Sequence, residues 1–226
     1  RVERVNGGDR SSLALLGVRA PSVFLVNATV WVEGITDRLY LREMLRLYVE
    51  SKKGDEGFRR MEEDAHYSFV EYAGSNITHW SFLKNEPHPI EVERLCGHAM
   101  LLVDEDGSAT SDKGKAKRIE ELRAAIGDRL LVTYGREVEN MLPEQVIEAV
   151  LRHFEGPKAV LPPIDRGAYR NELLGGWLDK LLGADKQREG DYGDKSGTVA
   201  QKGKFCAIAT DAMRQEDFTF ADLPAE

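Results

Sequence analysis

Ala99-Met100-Leu101-Leu102-Val103-Asp104-Glu105-Asp106 sets three acids directly behind an unbroken apolar run. An apolar run without alternation reads as a strand covered on both faces, the signature of a parallel sheet. The acids then sit at the strand's carboxyl end. Upstream, Val23 to Val32 is rich in β-branched and aromatic residues and reads as a strand with an irregularity at Asn27. Gly34 breaks it, Thr36 suits a helix N-cap, and Leu41, Met44, Leu45 and Tyr48 follow at helical spacing. Tyr67 to Tyr72 is a second strand, stopped by Ala73-Gly74-Ser75-Asn76, and a helix or loop leads on through Trp80 and Phe82. Downstream of the quoted run come a loop from Gly107 to Gly114, a helix from Lys115 to Ile126 and a buried strand from Leu130 to Tyr134. Strands alternating with helices predict an α/β fold: a mostly parallel, Rossmann-like sheet with helices on both faces.

After Pro143 the pattern turns helical. Val146 to Phe154, Leu173 to Leu182 and Lys204 to Met213 read as helices, the second with Leu174, Trp177, Leu178 and Leu181 on one face. The expected organisation is a linker over 1–22, a catalytic α/β domain over 23–142 and a C-terminal helical appendage over 143–226. The chain opens on Arg1 with a polar, glycine-containing stretch, which reads as a piece of a longer protein.

The composition, 42% hydrophobic and 31% charged, is that of a globular domain. Two cysteines, Cys96 and Cys206, are too few for a disulfide framework, so a cytoplasmic setting is expected. No apolar run reaches membrane-span length and no secretory signal opens the chain, so no membrane partner is expected. The net charge of −8 argues against holding nucleic acid by bulk charge, but metal-binding carboxylates contribute to that number. The bases are uneven: Lys113, Lys115, Lys117 and Arg118 cluster, as do Lys195, Lys202 and Lys204. Zinc is not expected, because the histidines and cysteines lack paired ligand spacing, and the stretch from Asp104 to Lys115 lacks the glycine and terminal glutamate of an EF-hand.

Three acidic groups fall at predicted strand ends: Glu33 with Asp37, Asp104 with Asp106, and Glu137 with Glu139. The carboxyl ends of parallel strands share one edge of a sheet, so acids distant in sequence are expected to converge there. Crowded carboxylates repel one another, and hard divalent cations such as Mg²⁺ or Mn²⁺ resolve that conflict. Taken singly, each group has an ordinary explanation as a turn, a helix cap or a solvated face. Their shared position favours a metal site.

Val30-Trp31-Val32-Glu33-Gly34-Ile35-Thr36-Asp37-Arg38-Leu39-Tyr40-Leu41 resembles the opening motif of Toprim domains, and more narrowly that of the OLD (overcoming lysogenization defect) family nucleases. Leu101 to Asp106 resembles the family's Asp-x-Asp motif, and Gly135-Arg136-Glu137-Val138-Glu139-Asn140-Met141-Leu142 its Arg-Glu-hydrophobic-Glu-Asn segment. Glu71-Tyr72-Ala73-Gly74-Ser75-Asn76-Ile77 resembles its strand and Gly-Ser-Asn turn. The resemblance covers residues 20 to 145 well and the remainder weakly.

The resemblance implies a Toprim catalytic domain that hydrolyses DNA phosphodiesters with two divalent ions about 4 Å apart. Mg²⁺ or Mn²⁺ would serve, with Ca²⁺ as a non-productive or modulating substitute. Glu33, Asp37, Asp104, Asp106, Glu137 and Glu139 would hold the metals, and Glu33 would assist as a general base. A lysine from the C-terminal part would stabilise charge on the phosphate. Lys204 is the first choice, with Lys202 and Lys195 as alternatives. Lys113, Lys115, Lys117, Arg118 and Lys202 would contact DNA. The resemblance also implies an ABC-type ATPase domain upstream and a homodimer of the intact protein. This chain carries no Walker A motif: Gly190-Asp191-Tyr192-Gly193-Asp194-Lys195-Ser196 has Asp194 where the second glycine is needed. There are two departures: Gly107 follows Asp106 where many relatives carry a polar residue, and the basic cluster Lys113 to Arg118 has no assigned role in the family beyond phosphate contact.

The main rival is a haloacid dehalogenase-type phosphatase using Asp104 and Asp106, with Thr133 and the Gly190-Asp191/Asp194 stretch as further motifs. It leaves Glu33, Asp37 and Arg136 to Asn140 without a role. A topoisomerase or primase would use the same carboxylates. A binding domain that keeps only the scaffold would have lost them.

Overall fold

The computed structural model describes residues 26–55, 61–72, 80–81, 90–91, 98–105 and 113–224, with only the backbone described for 80, 81, 90, 91, 113–115 and 118. The stretch 1–25, the Gly74-Ser75-Asn76 turn, Phe82, Cys96, Asp106 and the segment 106–112 lie outside the described residues. The chain divides into two compact units. The first comprises Arg1–Arg38, Arg59–Val103 and Ser108–Val132, and the second Leu39–Phe58, Asp104–Gly107 and Thr133–Glu226.

The first unit holds strands β1 (Ala28–Val32), β2 (Tyr67–Glu71), β5 (Ala99–Val103) and β6 (Leu130–Val132) in one sheet of order β2-β1-β5-β6. Every pairing in it is parallel. A short parallel pair, β3 (Trp80–Ser81) and β4 (Ile90–Glu91), forms a second sheet. The α/β class and the parallel sheet are thus those expected from the apolar runs. Register places Trp31 beside Val70 on one side and Leu101 on the other, and all three are buried. The Trp31 indole N–H donates to Thr29 Oγ1 at 3.0 Å, which satisfies its polar edge inside the sheet. The Tyr72 hydroxyl donates to the Leu102 carbonyl at 3.0 Å.

Strand β1 leads to β2 on one side, whereas β5 leads through helix α2 (Lys113–Ile126) to β6 on the other. The winding direction therefore reverses between β1 and β5, and their carboxyl ends mark the switch point at which open parallel sheets bind ligands. Glu33 is the residue after β1, and Asp104 is the residue after β5.

Helix α1 (Ile35–Ser51) begins one residue before Thr36, so Thr36 lies in its first turn and is not the cap. Asp37 does that work, its Oδ2 accepting the Gly34 N–H at 3.0 Å. A carboxylate three residues in reaches back to the orphan amide and complements the helix dipole. Next to it, Arg38 bridges Glu63 at 2.7 Å and Glu71 at 3.3 Å.

The second unit is helical. Its core joins Tyr40 and Leu47 of α1 to α3 (Glu144–Glu155), α4 (Arg166–Tyr169), α5 (Leu174–Leu182) and α6 (Lys202–Ala212). Val146, Ile147, Val150 and Leu151 form the buried stripe of α3, and Phe205, Cys206 and Ala209 that of α6. Glu43 is buried yet charged: it accepts from Arg214 at 2.6 Å and Arg46 at 2.8 Å. Burial works to raise its pKa, but the two guanidinium bonds outweigh it and hold the carboxyl below its usual range. Among the described residues no helix is long and apolar enough to cross a membrane.

The stretch after α5 is pinned by Asp179. It accepts the N–H groups of Tyr192 and Gly193 at 2.9 Å each and the Lys186 ammonium at 3.1 Å. This close docking needs glycine at 175, because a methyl there would stand 2.6 Å from both Gly193 Cα and the Thr198 carbonyl oxygen. Gly175→Ala is expected to lower stability by about 1–3 kcal/mol, the usual cost of overpacking. Gly203→Ala, whose methyl meets nothing within 4 Å, should cost nothing. Urea midpoints of the two variants check this.

Candidate functional site

Beyond β6 the chain makes a tight, fully bonded turn. The Thr133 hydroxyl accepts the Glu105 N–H at 2.9 Å and donates to the Gly135 carbonyl at 2.7 Å. Gly135 is closed in, since a Cβ there would lie 2.6 Å from Asn140 Cβ. The Glu137 N–H donates to Asn140 Oδ1 at 2.9 Å, and the Asn140 N–H returns to the Glu137 carbonyl at 3.0 Å. Asn140 Nδ2 then donates to the carbonyls of Tyr169 at 2.6 Å and Glu172 at 3.1 Å. Asn140 is thus a keystone whose amide groups are spent on backbone.

The product is a 3₁₀ turn, Val138–Met141, that drives Val138 and Leu142 into the core. It carries Glu137 and Glu139 inward with them, to 5% and 1% exposure. Two buried carboxylates two residues apart are expensive unless charge is supplied. Lys202, the first residue of α6, supplies it: its Nζ lies 3.2 Å from Glu137 Oε1 and 3.7 Å from Glu139 Oε1. Burial of Lys202 works to lower its pKa. The negative fields of Glu139 and Glu137, the hydrogen bond to Glu137 and the field of Asp104 outweigh that and hold the ammonium above the usual lysine range. Glu137 Oε2 is buried and has no hydrogen-bond partner among the described residues.

The expected site residues are therefore distributed unevenly. Glu137, Glu139 and Lys202 come together in the second unit, with Asp104 near enough to act on Lys202. Glu33 and Asp37 belong to the first unit, Glu33 exposed and Asp37 buried at the start of α1. Lys204, preferred from the sequence, is exposed, and its ammonium lies 4.8 Å from the Phe154 ring centroid. Residues two apart on a helix are about 200° apart around its axis, so Lys202 and Lys204 take different sides. Lys202 stands three, four and seven residues before Phe205, Cys206 and Ala209, on the buried stripe. That spacing is the signal that would have ranked it first.

Lys117 is exposed and faces Glu121 at 3.6 Å on α2. Lys113, Lys115 and Arg118 are placed on the α2 backbone, and the exposed Lys195 lies in the stretch after α5. Among the described residues no three Asp, Glu, His or Cys side chains gather into a group able to hold a metal ion.

Two residues on which the phosphatase reading leans are otherwise engaged. The Thr133 hydroxyl is spent on backbone as described, and the exposed Asp194 accepts from Ser196 and Thr198 within its own loop. Comparison with protein-family models, curated proteins and solved structures finds no match to this chain.

Lys202→Met removes the counter-charge of Glu137 and Glu139. A stability loss of about 1–3 kcal/mol is expected at neutral pH, below the full cost of breaking a buried pair because water screens Lys202. A lysine whose folded pKa is raised contributes fully below its unfolded value of about 10.4 and loses that contribution as pH rises through the folded value. The difference between wild type and variant should therefore persist through neutral pH and shrink only in the alkaline range. Urea denaturation at both pH values tests it, with Lys204→Met expected to change stability by less than about 1 kcal/mol.

Proposed function

We propose that the chain is the catalytic part of a metal-dependent nuclease that hydrolyses DNA phosphodiesters. The observation that carries the reading is the Lys202 ammonium set against the buried pair Glu137 and Glu139. Glu137 and Glu139 fall in the segment Gly135 to Leu142 that resembles the OLD family's Arg-Glu-hydrophobic-Glu-Asn motif. The donor chemistry suits a hard divalent cation: the ligating atoms are carboxylate oxygens, and Glu137 Oε2 is a buried acceptor with no hydrogen bond among the described residues. Glu137 and Glu139 are the proposed ligands that lie together in the second unit; Asp104, with Asp106 beside it in sequence, would complete the set only on moving in around a bound ion, since no three acids gather there among the described residues. Glu33 and Asp37 are the first unit's candidates, following β1 at the switch point. Mg²⁺ or Mn²⁺, as one ion or two, would supply an activated water and neutralise phosphate charge.

Lys202 has a narrower job. An ordinary lysine is protonated at neutral pH, and the Nζ of Lys202 stands 3.2 Å from Glu137 Oε1. Its role is to donate hydrogen bonds and positive charge to a phosphate oxygen, not to act as base. The same proposal includes an ATPase domain elsewhere in the intact protein, its dimerisation and a cytoplasmic setting.

Supercoiled plasmid incubated with the chain and Mg²⁺, Mn²⁺ or Ca²⁺ tests the reading. Nicking or linearisation is expected with Mg²⁺ or Mn²⁺ and not with Ca²⁺. Asp104→Ala, Glu33→Ala and Glu139→Gln should each abolish it. Lys202→Ala should slow it by about 10²–10³, the usual loss for a charge-stabilising donor, while Lys204→Ala cleaves like wild type. Failure to cleave with either metal, together with turnover of a simple phosphate monoester, would replace the nuclease by the phosphatase.

A further inference from the structure

One feature of the second unit has no part in holding metal. Tyr134, three residues before Glu137, is 41% exposed. The Arg170 guanidinium lies over its ring at 3.1 Å from the centroid, a cation on an aromatic face. The stack is fixed before any ligand arrives. Arg170 Nε donates to the Tyr134 carbonyl at 3.0 Å, and the Arg136 N–H donates to the Arg170 carbonyl at 3.0 Å. Gly135 sits between them with no room for a side chain, a Cβ there falling 3.0 Å from the Arg170 carbonyl oxygen. Asn140 ties the same two segments together through the Tyr169 and Glu172 carbonyls.

The cations of this platform are uncommitted. Among the described residues Arg170 is in no ion pair and spends only its Nε on a hydrogen bond, and the Arg136 guanidinium makes neither a hydrogen bond nor an ion pair. Three other arginines of this unit, Arg46, Arg152 and Arg214, each hold a carboxylate within 2.9 Å. An open aromatic face backed by a rigid guanidinium, with spare N–H donors beside it, is the chemistry that stacks an unpaired base and grips the adjoining phosphates.

We propose that Tyr134, Arg170 and Arg136 form a platform for unpaired nucleotides, holding a single strand, or the frayed end of a duplex, next to Glu137 and Glu139. The assignment rests on the nuclease reading for its purpose, but binding is measured apart from cleavage. A fluorescein-labelled single-stranded oligonucleotide and its duplex are titrated with the chain in Ca²⁺ and followed by anisotropy. Tyr134→Ser should weaken single-strand binding about five-fold or more, the lower end of what one base–aromatic stack contributes. Tyr134→Phe should bind like wild type. Arg170→Gln should weaken binding and reduce its salt dependence. Duplex binding should fall less than single-strand binding. Unfolding midpoints show whether each variant is folded; if Tyr134→Ser is not, unchanged affinity and salt dependence in folded Arg170→Gln overturns the platform instead.

Equal single-strand affinity for wild type and folded Tyr134→Ser overturns the platform, as does a Tyr134→Phe variant that binds as poorly as Tyr134→Ser. If plasmid cleavage persists in that case, the nuclease reading stands without the platform. If the chain never cleaves yet loses strand binding with Tyr134→Ser, the platform stands and the nuclease reading falls.

Discussion

The second unit is organised around an electrostatic debt. Glu137 and Glu139 are both buried, only two residues apart, on a turn whose apolar members must stay in the core. Neither carboxylate can escape to water without pulling Val138 and Leu142 out. Two ionised groups in such surroundings repel each other and lose hydration, a cost of several kcal/mol per ion. Lys202 offsets one of the two charges and reaches them only because α6 begins there and packs along α3. The position of α6 and the burial of the acids are therefore one constraint. A protein that needed only stability would be served as well by apolar residues at 137 and 139.

Geometry, more than charge, holds the acids where they are. Thr133, Gly135 and Asn140 spend their polar groups on the backbone of 105, 135, 137, 169 and 172. Each bond is ordinary, and together they leave the turn no other path. The same bonds lock Tyr134 against Arg170. A ligand meeting this face would find donors and a ring already in place, so little binding energy would go into ordering them.

Much of the first unit was legible because its signals are local. An unbroken run such as Ala99 to Val103 has one economical fate, a strand covered on both faces, and that strand has the expected bounds. Helix ends were less legible. Thr36 has the right chemistry for a cap, but the reach-back bond of Asp37 to Gly34 starts α1 earlier. The choice between the two lysines is hard to read for a different reason. Lys202 and Lys204 look alike as sequence, and only the phase of α6 against its apolar stripe separates them. That phase was readable from Phe205, Cys206 and Ala209, whereas the partners Glu137 and Glu139, some sixty-five residues away, were not. Asn140 was noticed as part of a motif, but its bonds to 169 and 172 are tertiary and leave no mark on the local sequence.

A net charge of −8 is at odds, at first sight, with the proposed binding of nucleic acid. The conflict dissolves once charge is counted where a strand would lie. At ordinary ionic strength fields decay over about 8–10 Å, and acids such as Glu50 and Asp211 are paired with arginines on their own helices or turns. On the proposed reading a strand would meet Arg136, Arg170 and Lys202 at Tyr134, with Glu137 and Glu139 beside them. Two of those acids, Glu137 and Glu139, are already partly neutralised by Lys202, and a divalent cation would neutralise them further. Overall repulsion then works against indiscriminate binding of duplex DNA by bulk charge, while stacking, which salt does not screen, favours strands that present an open base. On this account the acidic composition is itself a source of selectivity.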